Sequence, residues 1–152
     1  MNTSKVFQVT EIDLVYKTPN DYCDRPVIRN SKDAYQLFLQ SWEDGKMELI
    51  EQFRVLFMSN SGKVIGVYNA SSGGTTQTVV DIKLILVAAM KANTTKMILA
   101  HNHPSGSLKP SDADKTITTK ICNAGKLLDI TIDDHIILTQ ESYFSFRDEG
   151  LI

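Results

Sequence analysis

The 152 residues predict an α/β fold, a single-domain α-β-α sandwich whose mixed sheet lies between helices. Three observations predict it. Apolar runs of strand length alternate with segments of helical period. Two strand runs flank Asn60-Ser61-Gly62, which has the chemistry of a hairpin turn. The composition, 42% hydrophobic and 22% charged, is that of a packed core and excludes a disordered chain. The length suits one globular unit. Within it, residues 1–46 read as an N-terminal strand, loop and helix packing on a core formed by residues 47–152.

In chain order, residues 6–16 are rich in β-branched and aromatic types and predict a strand, and the Pro, Asn and Asp of residues 17–30 predict a loop. Ser31 is a suitable N-cap for a helix with Asp33 in its first turn and Ala34, Tyr35, Leu37, Phe38, Leu39 and Trp42 on its apolar face. Glu43-Asp44-Gly45 ends it. Residues 51–58 form a mostly buried strand, with Phe53, Val55 and Phe57 on one face and Leu56 and Met58 on the other. Lys63 to Ala70 returns beside it. The Gly-rich stretch Ser71–Thr76 lacks the Gly-Lys-Ser/Thr ending of a phosphate loop and reads as a turn or a cleft wall. Residues 79–93 are apolar on nearly every side, which predicts a buried helix. A strand over 96–100 follows. A helix then starts at Ser111 with Ile117, Ile121, Ala124 and Leu128 on one face, and Gly125 inside it is a small cost. Residues 129–138 predict a strand, and 143–150 a last edge strand or turn.

The chemistry concentrates between residues 101 and 114. His101 and His103 follow the apolar run Met97-Ile98-Leu99-Ala100. Residues i and i+2 of a strand point the same way, so both imidazoles converge if the extended backbone continues through Asn102. Pro104 favours that conformation at His103. Asp114 falls in the first turn of the helix capped by Ser111, where the helix dipole favours a carboxylate. Two histidines and a carboxylate are a zinc ligand set, and three protein ligands leave the fourth position open, as catalytic sites require. The blander readings are a chance His-x-His pair and an Asp114 that only caps. Glu51 stands where the chain enters a buried strand and is either a solvated strand end or a working carboxylate, with Glu48 as the alternative. His135, alone in an apolar segment, reads as a hydrogen-bonded core residue and not as a ligand.

His101-x-His103, seven residues, Ser111, two residues, Asp114 resembles the motif of the JAMM (JAB/MPN) zinc metalloproteases. His101-Asn102-His103-Pro104-Ser105-Gly106 and Asp134-His135-Ile136-Ile137 resemble its RadC-like branch, over roughly residue 48 to the C-terminus. The resemblance implies a cytidine-deaminase-like sandwich and one Zn²⁺ on His101, His103 and Asp114. Glu51, in the matching word Glu51-Gln52-Phe53, is then the general base and Ser111 the donor to the oxyanion. The substrate is a protein or peptide amide, making the chain a peptidase or isopeptidase, and His135 has a supporting role near the ligands or the cleft. The Arg-Glu pair common near residue 79 in that branch is missing, with Asp81 the nearest acid.

Net charge is −2, and the lysines and arginines are scattered. Duplex binding calls for a basic stripe, so the DNA-repair label of RadC-like proteins, and with it a nuclease or accessory reading, gains no support from charge. The helix-hairpin-helix region of such proteins has no counterpart in these residues. An inert MPN-type scaffold is the third reading, weakened because every ligand position is filled. Cys23 and Cys122, far apart and without a Cys-x-x-Cys pair, read as reduced thiols, with a single disulfide as the alternative. Neither a signal peptide nor an apolar run of membrane-spanning length is read, so the expectation is a cytoplasmic protein without membrane contact.

Overall fold

The computed structural model describes residues 9–10, 21–74 and 79–152. The strand expected over 6–16, the first residues of the loop after it, and Thr75 and Thr76 of the Gly-rich stretch therefore lie wholly or largely outside the described residues.

Helix α1 spans Ser31–Ser41. Its N-cap is Asn30, whose side chain accepts from the Asp33 N–H, and not Ser31, the first helical residue. The Ser31 hydroxyl instead faces the C-terminal turn, bonding Asp148 and Tyr143. Strand β1 is Gln52–Met58 and pairs antiparallel with β2, Val64–Ser72, as the hairpin signal requires. The turn between them needs Gly62. Its φ is +79°, and a Cβ there would stand 2.8 Å from the Ile28 carbonyl oxygen.

Helix α2, Ile82–Lys91, is shorter than expected and is capped by Asp81, which accepts from the Leu84 N–H. It is not buried all round: Ile85 and Ala89 face the sheet, whereas Leu84, Val87 and Met90 stand about half exposed. Among the described helices, none is long and apolar enough to cross a membrane. Strand β3, Lys96–Asn102, continues through both His101 and Asn102. Helix α3, Asp112–Leu127, links β3 to β4, Thr131–Leu138, and β5, Tyr143–Ser145, forms the edge.

The sheet order is β2-β1-β3-β4-β5, with β3 and β4 parallel and the other neighbours antiparallel. Parallel neighbours require a crossover, and α3 provides it. Side-chain alternation divides the core in two. Leu56, Met58, Ile98, Ala100, Ile136 and Leu138 meet Ala34, Phe38 and Trp42 of the α1 segment on one face. Phe53, Val55, Phe57, Met97 and Leu99 meet Ile85, Ala89 and Ile121 of α2 and α3 on the other. This is the expected three-layer α/β sandwich.

The buried stripe of α3 is Asp114, Thr118, Ile121 and Gly125; of the expected Ile117, Ile121, Ala124, Leu128 face, Ile121 is buried and Ile117 packs against the core, whereas Leu128 is exposed. Gly125 is a requirement and not a cost. A Cβ would lie 2.5 Å from the Ile130 carbonyl oxygen, because the chain folds tightly back over the helix end on its way to β4. Cys23 is exposed and Cys122 half-buried, and both are free.

Candidate metal centre and its cleft

Strand register places the site. Phe53 of β1 pairs with His101, and Ile137 of β4 flanks it on the other side. Alternation from Met97 and Leu99 turns His101 to the α2/α3 face, and His103 follows it just past the strand end. The ligands thus gather at the carboxyl end of β3, where open α/β sheets bind their ligands.

Ser111 and Asp114 form a reciprocal capping box at the start of α3. The Asp114 N–H donates to Ser111 Oγ at 3.0 Å, and the Ser111 N–H donates to Asp114 Oδ2 at 2.7 Å. That lock swings the carboxylate against the histidines. Asp114 Oδ1 is 3.2 Å from His101 Nε2, Asp114 Oδ2 is 3.3 Å from His103 Nε2, and the two Nε2 atoms are 3.0 Å apart. A tetrahedral zinc ion with bonds of about 2.0–2.2 Å holds its donors about 3.3 Å apart. The contacts to the two histidines use different Asp114 oxygens, and one donor atom from each of the three residues lies within 4.8 Å of the others, so the donor set suits a single ion, with Oδ1 clear of the backbone bond that occupies Oδ2. Capping and metal binding are compatible roles for Asp114, because the capping box turns the carboxylate towards the two histidines.

Electrostatics agree with an ionised acceptor facing two nitrogens. Burial pushes the Asp114 carboxyl up, but hydrogen bonds from His101, His103 and the Ser111 N–H outweigh it and hold the group well below the usual carboxylate range. The bond to Asp114 raises the proton affinity of His103, against burial, which lowers it. His103 Nδ1–H donates to the Ser107 carbonyl at 2.8 Å, so the loop between β3 and α3 orients that ring.

Glu51 sits immediately before β1, which starts one residue later than expected, and is 9% exposed. Its N–H donates to the Gly74 carbonyl, and its carbonyl accepts from the Gly73 N–H. It lines the same cleft as His103, Ser111 and Asp114, and its charge raises the proton affinity of His103. Glu48 is exposed and does not line that cleft. The cleft has a volume of about 620 Å³, with Phe53, Val79, Val80 and Ile117 as its apolar lining and Lys120 as its basic one.

Two residues in this machinery escaped the sequence reading. Asn102, between the two histidines, points to the α1 face by alternation and is fully buried. Its amide donates to the carbonyls of Met47 and Ile50, and its oxygen accepts from the Gln52 N–H. It therefore clamps the backbone on both sides of Glu51. The signal was present: a buried amide must find partners. Thr118, one turn beyond Asp114, lies 2.6 Å from His135 Nδ1. The Asp134-His135 pair itself divides. His135 faces the site, while Asp134 accepts from the His135 and Arg147 N–H groups and the Ser145 hydroxyl, tying down the C-terminal turn. Burial nevertheless leaves the Asp134 carboxyl above its ordinary value.

The chain is 50% identical over 101 residues to a UPF0758 protein of Flavobacterium johnsoniae, covering 66% of this chain and 44% of that one. It is 42% identical over 129 residues to a UPF0758 protein of Porphyromonas gingivalis, covering 84% and 56%. It is 35% identical over 153 residues to one of Pseudoalteromonas translucida, covering 100% and 67%. The chain thus spans about half the length of the first two relatives. The RadC-like JAB domain matches residues 28–151, so α1, which the sequence reading left outside the resemblance, lies inside the matched stretch. On that match, the chain belongs to the RadC-like JAB domain family.

Proposed function

We propose that this chain is a metal-dependent amide hydrolase, a JAMM-type peptidase or isopeptidase that works with one Zn²⁺ on His101, His103 and Asp114. The observation that carries the reading is the convergence of two imidazole nitrogens 3.0 Å apart with a carboxylate that sets one oxygen against each, at 3.2 and 3.3 Å, a zinc donor set. A cation bound there supplies Lewis acidity that makes water a nucleophile at neutral pH.

The chain's own groups do the rest. Glu51 accepts the proton of the attacking water as the new C–O bond forms, then delivers it to the amine nitrogen as the C–N bond breaks. The Asn102 clamp and the bonds to Gly73 and Gly74 hold the Glu51 backbone in place. Ser111 Oγ already accepts the Asp114 N–H, so its own hydroxyl proton remains to donate to the oxygen that gains charge. Phe53, Val79, Val80 and Ile117 offer an apolar lining, which suits a substrate with an apolar side chain beside the scissile amide. Elemental analysis of the purified chain tests the reading, with about one zinc per chain expected, followed by a cleavage screen over peptide and isopeptide amides. A metal-free protein that also fails to bind added Zn²⁺ would overturn it.

A further inference from the structure

We propose that Lys120 is the specificity-determining residue of the cleft and takes a carboxylate of the substrate, carried a few residues from the amide that is cut; this rests on the hydrolase reading above. Helix α3 lends the cleft Thr116, Ile117 and Lys120 beside Asp114, and the segment ahead of α2 lends it Val79 and Val80. The charges of the cleft are unevenly placed. Asp114 meets His101 and His103, and the charge of Glu51 acts on His103, so both acids serve the histidine end. Lys120 is exposed and has no ion pair among the described residues. The helical positions that could neutralise it from within α3 are those three and four residues away. They hold Thr116, Ile117, Asn123 and Ala124, none of them acidic, and beyond Asp114 the helix has no acid at all.

The helix sets the reach. Asp114 and Lys120 are six positions apart, about 9 Å along the axis at about 1.5 Å per residue. Long helical side chains lean back towards the N-terminus, which brings the Lys120 stem towards the Asp114 end. An extended peptide advances about 3.3–3.6 Å per residue. A carboxylate two or three residues from the scissile amide therefore comes level with Lys120 while the amide stands at the histidine end. Ile117, Val79 and Val80 meanwhile offer contact to the apolar part of the same segment. A neutral polar group in that place exchanges one hydrogen bond to water for another and gains little. A carboxylate adds the attraction of an opposite charge, strengthened beside apolar walls that displace some of the solvent. Because Lys120 is exposed, the discrimination is moderate. Lys120 selects the substrate and takes no part in breaking the bond.

The probes are acetylated, amidated hexapeptides built around a valine–alanine amide, made in pairs that differ only in glutamate or glutamine at one position. A further pair is neutral in its side chains and ends in a free carboxylate or an amide. Binding is read by NMR shift titration on the metal-free intact chain, where no bound Zn²⁺ competes for the carboxylate. At one position or more the glutamate peptide should bind about 2- to 5-fold more tightly than its partner, the range of an exposed ion pair, and added salt should narrow the gap. Lys120→Gln should remove the preference, and Lys120→Glu should transfer it to the matching lysine peptide. A preference seen only for the free carboxylate end, and lost in Lys120→Gln, supports the same role with a terminal carboxylate as its source. Equal binding across every pair by wild type, absence of binding included, or a preference that survives in Lys120→Gln, would overturn the proposal. In zinc-loaded wild type the same order should appear in kcat/KM for the peptides that are cut. A wild type that takes up no Zn²⁺ and cuts none of them would instead sink the hydrolase reading, while the metal-free titration still decides whether Lys120 holds a carboxylate.

Discussion

His101 and His103 are two residues apart and face the same point, yet they are held by opposite means. His101 lies within the strand, 1% exposed, its ring stacked over Phe53 and bonded to His135 from beneath. His103 lies past the strand end, partly open to the cleft, and is oriented by the carbonyl of Ser107 in the following loop. One half of the centre is therefore an extension of the hydrophobic core, and the other half is an extension of a loop. The comparison teaches a division of labour: the core side holds its imidazole rigidly, and the loop side leaves its imidazole open to the cleft.

Removing the group that joins the halves should have the largest effect. Asp114→Ala deletes the carboxylate that meets both histidines and half of the capping box. We expect loss of stoichiometric zinc by elemental analysis, with a folded far-UV spectrum and a cap loss of about 1 kcal/mol; retained zinc would remove Asp114 from the ligand set. Next is Glu51→Gln, which leaves the three ligands untouched. It should keep its zinc and lose about 10²- to 10⁴-fold in hydrolytic rate, the range for a general base, and a variant of wild-type activity would reassign the proton transfer.

A pH titration separates the halves more gently. In the metal-free chain the bond to Asp114 raises the His103 pKa above its unfolded value. The stabilisation is then fully present below about pH 6.5 and is lost as pH rises through the raised value. The melting temperature of metal-free protein should fall across that window. With Zn²⁺ it should rise instead, because the ligands must be deprotonated to bind. Two melting series with parallel slopes would contradict the pairing. The smallest effect is expected from Gly106→Ala on the loop side. Gly106 has φ +79° and donates its N–H to the His103 carbonyl, with open space where a Cβ would go. Alanine there costs about 1–2 kcal/mol of backbone strain, and zinc affinity measured by competition should fall by about tenfold or less. A larger fall would mean that the loop carries more of the site than the geometry assigns to it.

Much of this was legible one residue at a time. The period-two pattern of Phe53, Val55 and Phe57 against Leu56 and Met58 gave the two faces of β1 correctly, because alternation is a property of any strand. The same rule put His101 and His103 on one side. Ser111 and Asp114 were readable as a helix start, since capping is local chemistry spanning four residues. What failed did so where distant segments meet. Helix α2 looked buried all round, yet only one stripe of it faces the sheet, because composition does not reveal how many sides a neighbour will cover. Gly125 looked like a weakness until the return of the chain at Ile130 showed why no side chain fits there. Asn102 looked like a spacer, and its partners at Met47, Ile50 and Gln52 lie about fifty residues away.

The sequence by itself determined which groups are available to hold an ion, and the order in which a strand end, a Pro/Gly loop and a capped helix present them. Those facts depend on bond geometry within a few residues of each other. Only the tertiary structure decided that Glu51 faces the same cleft, that His135 reaches His101 through the core, and that Thr118 sits beneath both. Each of these rests on the register between strands and on the seat of α3 against the sheet. Register and packing are settled by the burial of two whole apolar faces at once, which no single stretch of chain contains.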